Sequence, residues 1–210
     1  MVLFLDTSSK DFFICLFDND KIIDSLKIEN IITHSNFIDE KVKDFLIKNN
    51  INITDIDYFA VSVGPGSYTG IRVGYAFILG ICEAIDKKIL TINLLESMKY
   101  YIESNILDNN YIVFPLINAN NNNVYTIINE NKVKTNIDDL KSEIINNNEY
   151  KNIIFISTDN DLKDKFVDIK NAKFEYIEDI GKISLKFIDK KLVNNEFSNS
   201  YIYKIDYLDQ

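Results

Sequence analysis

Gly64-Pro65-Gly66-Ser67-Tyr68-Thr69-Gly70-Ile71-Arg72-Val73-Gly74 holds four of the chain's six glycines, one of its two prolines and its only arginine. In a sequence dominated by Ile, Asn, Lys and Asp, that density marks a backbone with special requirements. Residues 56–63 before it read as a strand ending on turn signals, and residues 75–85 after it are nearly uncharged and helix-like. The glycines sit where a strand turns sharply into a helix.

Two chemistries compete for such a turn. A phosphate cradle would want the Gly-Lys-Ser/Thr end of a P-loop or the dinucleotide spacing, and Gly64-x-Gly66-x-x-x-Gly70 meets neither. Backbone amides of residues 67–70 at a helix N-terminus still suit an anion. A tight strand-to-helix turn built on Gly64, Gly66, Ser67, Thr69 and Gly70 explains the same residues without a ligand.

Working outward, residues 2–5, 12–17 and 21–28 are apolar segments separated by the turn-forming clusters 6–10 and 18–20, the pattern of an antiparallel meander. Residues 34–48 place Ile38, Val42, Phe45 and Leu46 on one helical face, with Thr33 as the expected N-cap. After the glycine turn and its helix come an expected strand at 88–93 and a helix at 95–104. Asp108-Asn109-Asn110 is the expected boundary. The order then repeats in shorter form: strands at 111–117 and 124–129 around the hairpin 118–123, a helix at 137–145, a strand at 152–157, a helix at 162–167, a strand at 173–177 and a helix at 182–193. Two βββαβα-type lobes, the second abbreviated, define a duplicated α/β architecture of the kind found in actin, sugar kinases and heat-shock chaperone ATPases. The expected division is an N-terminal lobe over 1–108, joined by the helix at 181–195, a smaller lobe over 109–180 and a tail over 196–210.

Composition excludes several classes of function. At 210 residues and 46% hydrophobic the chain can bury a full core. A net charge of -9 works against autonomous nucleic-acid binding, because clustered Lys or Arg must supply the phosphate term. The apolar, charge-free run at residues 73–82 is far below the roughly 20 apolar residues of a membrane helix, and no basic leader precedes the apolar start, so a cytoplasmic location without membrane association is expected. Cys15 and Cys82 have no CxxC spacing and read as buried reduced thiols. The single histidine, His34, removes any His-pair metal site and the HExxH protease motif. No metal site and no catalytic residue are expected.

Asp6-Thr7-Ser8-Ser9 lies between the first two strands, where actin-like ATPases place an acidic residue and hydroxyls around a phosphate and its magnesium. Asp6, Thr7 and Ser8 are therefore candidate nucleotide contacts; the bland reading is a polar hairpin loop. The matching hairpin of the second half, Asn118-Ala119-Asn120-Asn121-Asn122-Asn123, has no carboxylate and no glycine. The helix after the glycine turn is more informative. Val73, Gly74, Phe77, Ile78, Ile81, Ala84 and Ile85 fill one broad face, Tyr75, Ala76, Leu79 and Cys82 extend onto the other, and only Glu83 and Asp86 are charged. A helix apolar almost all round must be covered on two sides. Its sheet covers one; the helix at 34–48 or a second protein covers the other, with Gly70, Gly74 and Gly80 allowing a close approach.

Taken together, Leu3-Phe4-Leu5-Asp6-Thr7-Ser8, His34-Ser35, the glycine motif and Asn118-Ala119-Asn120 with Val124-Tyr125 resemble the TsaB (formerly YeaZ) family, whose central motif reads Gly-Pro-Gly-Ser-Phe-Thr-Gly-Leu-Arg-Ile-Gly. The resemblance is close over the first half and thin over the second. It implies an actin-like (ASKHA) protein without catalysis of its own, paired with TsaD, which transfers a threonylcarbamoyl group to N6 of adenosine 37 in tRNAs reading codons that begin with A. It further implies that TsaE joins the pair, that a homodimer forms when TsaD is absent, and that tRNA is met only through the complex. No cofactor of its own is implied, with ATP or another adenine nucleotide entering at the level of the complex. The partner-binding residues it implies are His34, Phe37, Lys41, Arg72, Tyr75, Ile78, Ile81, Cys82 and Ile85. The competing reading is an actin-like ATPase or small-molecule kinase using Asp6 and Thr7 around Mg-ATP.

Overall fold

The computed structural model describes residues 1–31, 37–106, 111–147 and 150–198. His34, the expected helix start and cap at 33–34, and most of the expected tail lie outside them. The described chain forms two compact units. One takes Met1–Leu94 and the stretch from Ser184 to the last described residue, and the other takes Leu95–Ile183.

In the first unit the three opening segments form the expected meander: β1 (Val2–Asp6), β2 (Phe12–Asp18) and β3 (Lys21–Ile28), all antiparallel. Asn19, in the left-handed region at φ 50°, makes the tight β2–β3 turn. Helix α1 (Ile38–Lys48) then leads through a short 3-10 turn to β4 (Tyr58–Ser62), α2 (Tyr68–Ile85) and β5 (Lys88–Ile92). Because each connection is a helical crossover, β4 and β5 add in parallel beside β1, giving the order β3-β2-β1-β4-β5. β1 and most of β2 are buried on both faces, which is why they read as continuous apolar runs. One face of this sheet packs on α1 and α2 through Leu3, Leu5, Phe12, Ile14, Val42, Phe45, Phe59 and Ile78. At the far end of α1, Lys48 and Asn49 bind the Asp24 carboxylate at 2.7 and 2.9 Å and hold it below the usual carboxylate range.

The second unit repeats the plan. It contains α3 (Leu94–Asn105), β6 (Ile112–Asn118), β7 (Asn123–Ile128), β8 (Asn131–Asn136), α4 (Ile137–Asn146), β9 (Ile153–Ser157), α5 (Asp161–Lys165) and β10 (Ala172–Tyr176). The sheet order β10-β9-β6-β7-β8 is the first sheet's order with each strand replaced by its counterpart. The abbreviation expected from the sequence lies in the helices. The crossover between the two parallel strands is α5, of 5 residues, where the first unit has α2, of 18. β8 is the strand the sequence reading passed over. Its lysines are placed by neighbours, Lys132 at 2.9 Å from Glu96 and Lys134 over the Tyr125 ring, so a polar segment holds an edge position.

The division between the units falls at Leu94/Leu95, earlier than the expected 108. Met98 and Ile102 of α3 pack on Val113, Ile154 and Ile156, so this helix belongs to the second core. The last helix, α6 (Ile180–Val193), carries the chain back to the first unit, where Phe197 stacks on Tyr58 and Ser198 bridges to Ile89 at the β5 edge.

Candidate functional site

The glycine motif forms the expected strand-to-helix turn, and its geometry shows why glycine is required. Gly64 adopts φ 89°, in the left-handed region. Its carbonyl accepts from the Leu94 amide at 2.8 Å. Ser67 caps α2, its side chain accepting from the Gly70 amide at 3.2 Å. The other glycines serve close approach. A Cβ at Gly66 would run into the Ser8 carbonyl, one at Gly70 into the Thr7 carbonyl, and one at Gly74 into the Thr7 hydroxyl. Two hydrogen bonds close the joint: the Ser67 amide donates to the Ser8 carbonyl at 2.6 Å, and Thr7 Oγ1 donates to the Gly70 carbonyl at 2.7 Å. The β1–β2 loop and the first turns of α2 are thus locked together.

That lock decides what Asp6, Thr7 and Ser8 offer a nucleotide. All three are buried, at 1%, 0% and 3% exposure, and the Ser8 amide donates to Asp6 Oδ1 at 2.9 Å. The Thr7 hydroxyl proton is committed to Gly70. In the second unit the matching hairpin takes three consecutive left-handed residues, Asn120, Asn121 and Asn122. Asn118 and Asn122 donate there to the carboxylates of Asp159 and Asp138, both at 3.0 Å. The Thr7 hydroxyl and the Ser8 and Ser67 amides are thus engaged within the chain's own loop, as the Asn118 and Asn122 side-chain amides are in the second hairpin. Among the described residues, no three His, Cys, Asp or Glu side chains gather in a metal-binding group.

The remaining candidate is the outer surface of α2 and α1. Only Gly70, Ile71, Gly74, Ile78 and Cys82 of the 18 residues of α2 are buried. Ile78, at 0% exposure, and Cys82, at 3%, belong to the core under the sheet. Their inclusion among partner-contacting residues is corrected, because a side chain enclosed by its own unit has no surface to offer. Burial pushes the Cys82 thiol up to about 12, with Glu83 adding to the shift, so it is an inert core thiol. Tyr75, Ile81 and Ile85 are half-buried and pack against the same core. Phe37 does likewise, meeting Phe12 edge-on at 5.9 Å. Lys41, half-buried, pairs with Glu40 at 2.8 Å. Arg72 is exposed, its guanidinium 3.9 Å above the Tyr68 ring.

The fully exposed positions of α2 are Tyr68, Thr69, Arg72, Ala76, Gly80, Glu83 and Ala84. Ala76, Gly80 and Ala84 stand four residues apart, so they align along one stripe, flanked by half-buried Val73, Phe77 and Leu79. A Cβ at Gly80 would meet nothing within 4 Å. Gly70 and Gly74, expected to admit a partner helix, instead admit the chain's own Thr7. The Ala76/Gly80/Ala84 spacing was the available signal for the outer face. The apolar residues on both sides of the helix masked it, since composition does not say which side meets the sheet.

Two α/β units with one strand order, the second unit's crossover shortened, define a protein of the duplicated actin-like, or ASKHA, class. The sequence matches the family described as TsaD, tRNA N6-adenosine threonylcarbamoyltransferase, over residues 29–162, and the chain belongs to that family. Among curated relatives, the tRNA N6-adenosine threonylcarbamoyltransferase of Mycoplasma mobile is 25% identical over 130 residues, 56% of this chain and 41% of that protein. The enzyme of the same name from Sulfurisphaera tokodaii is 38% identical over 60 residues, 29% of this chain and 18% of that protein. The match thus spans less than half the length of these relatives. Among solved structures, YeaZ from Pseudomonas aeruginosa superposes with a TM-score of 0.67 at 16% identity, covering 97% of this chain and 99% of that one. A crystal structure described as an uncharacterized Pseudomonas aeruginosa protein similar to peptidase YEAZ gives 0.70 at 16% identity, covering 99% and 98%. The fold is that of YeaZ, as the resemblance drawn from the glycine motif implied.

Proposed function

We propose that this chain is a noncatalytic TsaB-type subunit that supports a TsaD partner in threonylcarbamoyl transfer to tRNA. The observation that carries the reading is the outer stripe of α2: Ala76, Gly80 and Ala84, small and exposed along the C-terminal half of an 18-residue helix, with open space at Gly80. A helix of the partner laid along Ala76, Gly80 and Ala84 approaches closely because no side chain beyond a methyl intervenes. Arg72 at one end of the stripe and Glu83 near the other fix its direction by charge. The single histidine supports the noncatalytic assignment, since a metal held by a histidine pair has no ligands here.

Within this reading TsaE joins the pair, tRNA and any adenine nucleotide are held at the level of the complex, and a second copy of the chain takes the α2 face when TsaD is absent. The setting is the cytoplasm. Mixing the purified chain with the TsaD encoded in the same genome, at micromolar concentration, is expected to give a one-to-one heterodimer by light scattering after size exclusion. Two separately eluting folded proteins would refute the proposal.

A further inference from the structure

We infer that Thr7 is a positioning residue for the partner-binding face, holding α2 in the rotation that presents Ala76, Gly80 and Ala84; this rests on the reading of that face given above. Thr7 touches α2 at two successive turns. Its hydroxyl donates to the Gly70 carbonyl at 2.7 Å, and the same hydroxyl lies where a Cβ on Gly74 would stand. Its carbonyl occupies the space a Cβ on Gly70 would need. Ser8 adds a third point, its carbonyl accepting from the Ser67 amide at 2.6 Å. Contacts at residues 67, 70 and 74 lie along one side of the helix, and Gly80 faces solvent away from them. Ile78 and Cys82 seat the later turns of α2 in the core, whereas at Gly70 and Gly74 no side chain exists to do so. There the Thr7 hydrogen bond and the close backbone fit hold the first turns in register with the rest of the helix. In this chain the loop between the first two strands, where an actin-like ATPase would hold phosphate, acts as the seat of an interface helix.

The test compares Thr7→Val, which removes the donor and keeps the shape, with Thr7→Ser, which keeps the donor, by calorimetric titration against the TsaD of the same genome. Thr7→Val is expected to weaken binding by roughly 3- to 30-fold, the range seen for residues that act through a coupled element, and Thr7→Ser to bind as the unsubstituted chain does. Amide exchange across residues 72–80 should accelerate in Thr7→Val alone. Leu162→Ala, a core cavity in the second unit, is the control for general destabilisation and should leave the affinity unchanged. If Thr7→Val does not fold, Gly74→Ala carries the test. Its methyl group displaces α2 from the Thr7 hydroxyl while raising helix propensity, and it should weaken binding to a similar degree.

Unchanged affinity in a folded Thr7→Val or Gly74→Ala, alongside loss of binding in Gly80→Arg, would overturn the role of Thr7 and leave the interface standing. Normal binding by Gly80→Arg would remove the face itself, and the role of Thr7 with it.

Discussion

Gly80→Arg is expected to fold as well as the unsubstituted chain and to lose its partner. A side chain grown from Gly80 enters open space, since a Cβ there meets nothing within 4 Å. Replacing a mid-helix glycine removes a propensity penalty of about 1 kcal/mol, so the melting temperature should hold or rise slightly. In the proposed complex the same arginine would stand at the centre of the helix approach, displacing contacts and leaving a charge without a partner. Central interface positions of this kind cost about 2 kcal/mol or more, so affinity should fall by roughly 30-fold or beyond. Titration of the TsaD partner with the variant, paired with a thermal melt, reads both effects. Binding within a factor of two of normal would show that α2 is covered by something else.

Ile78→Ala should do the reverse. Ile78 lies two residues from Gly80 on the opposite side of the helix, at 0% exposure, in the cluster with Leu3, Leu5, Val42 and Phe45. Truncating a sealed isoleucine removes its buried methyl groups and leaves a cavity, at a cost of about 2–5 kcal/mol, a large part of a typical domain's stability. The denaturation midpoint should fall accordingly. Below that midpoint the folded fraction should still bind its partner with normal affinity, because no atom of Ile78 reaches the surface. A variant with an unchanged midpoint and no binding would put Ile78 back at the interface.

The contrast between these neighbours shows where the sequence was sufficient. The meander, the parallel strands and the strand-to-helix turn were legible because each carries a local signature: alternating or continuous apolar runs, Asn and Asp at the hairpins, and glycines where the backbone is crowded. The purpose of Gly66, Gly70 and Gly74 was legible only in part. A close approach was evident, but the approaching group is Thr7-Ser8 of the same chain, more than fifty residues away in sequence, and local pattern carries no record of it. The inner side of α2 was not legible, since Ile78 and Ala76 differ little in a composition that is apolar on both sides. β8 escaped notice because its polar residues are made tolerable by Glu96 and the Tyr125 ring, partners chosen by the tertiary fold. The division at Leu94 was hidden for the same reason: α3 takes its place from Met98 and Ile102 packing on strands that follow it in the chain.

On the proposed reading α2 is the working element, with the glycine motif and Thr7 as its mount. On this reading the chain assists transfer without performing it. The most direct measurement is threonylcarbamoyl transfer to an unmodified tRNA from threonylcarbamoyl-adenylate, with the chain alone, with TsaD and TsaE alone, and with all three together. The expected result is no product from the chain alone and a strong gain when it joins TsaD and TsaE, lost again with Gly80→Arg. Modified tRNA formed by the chain alone, or no gain on its addition, would contradict it.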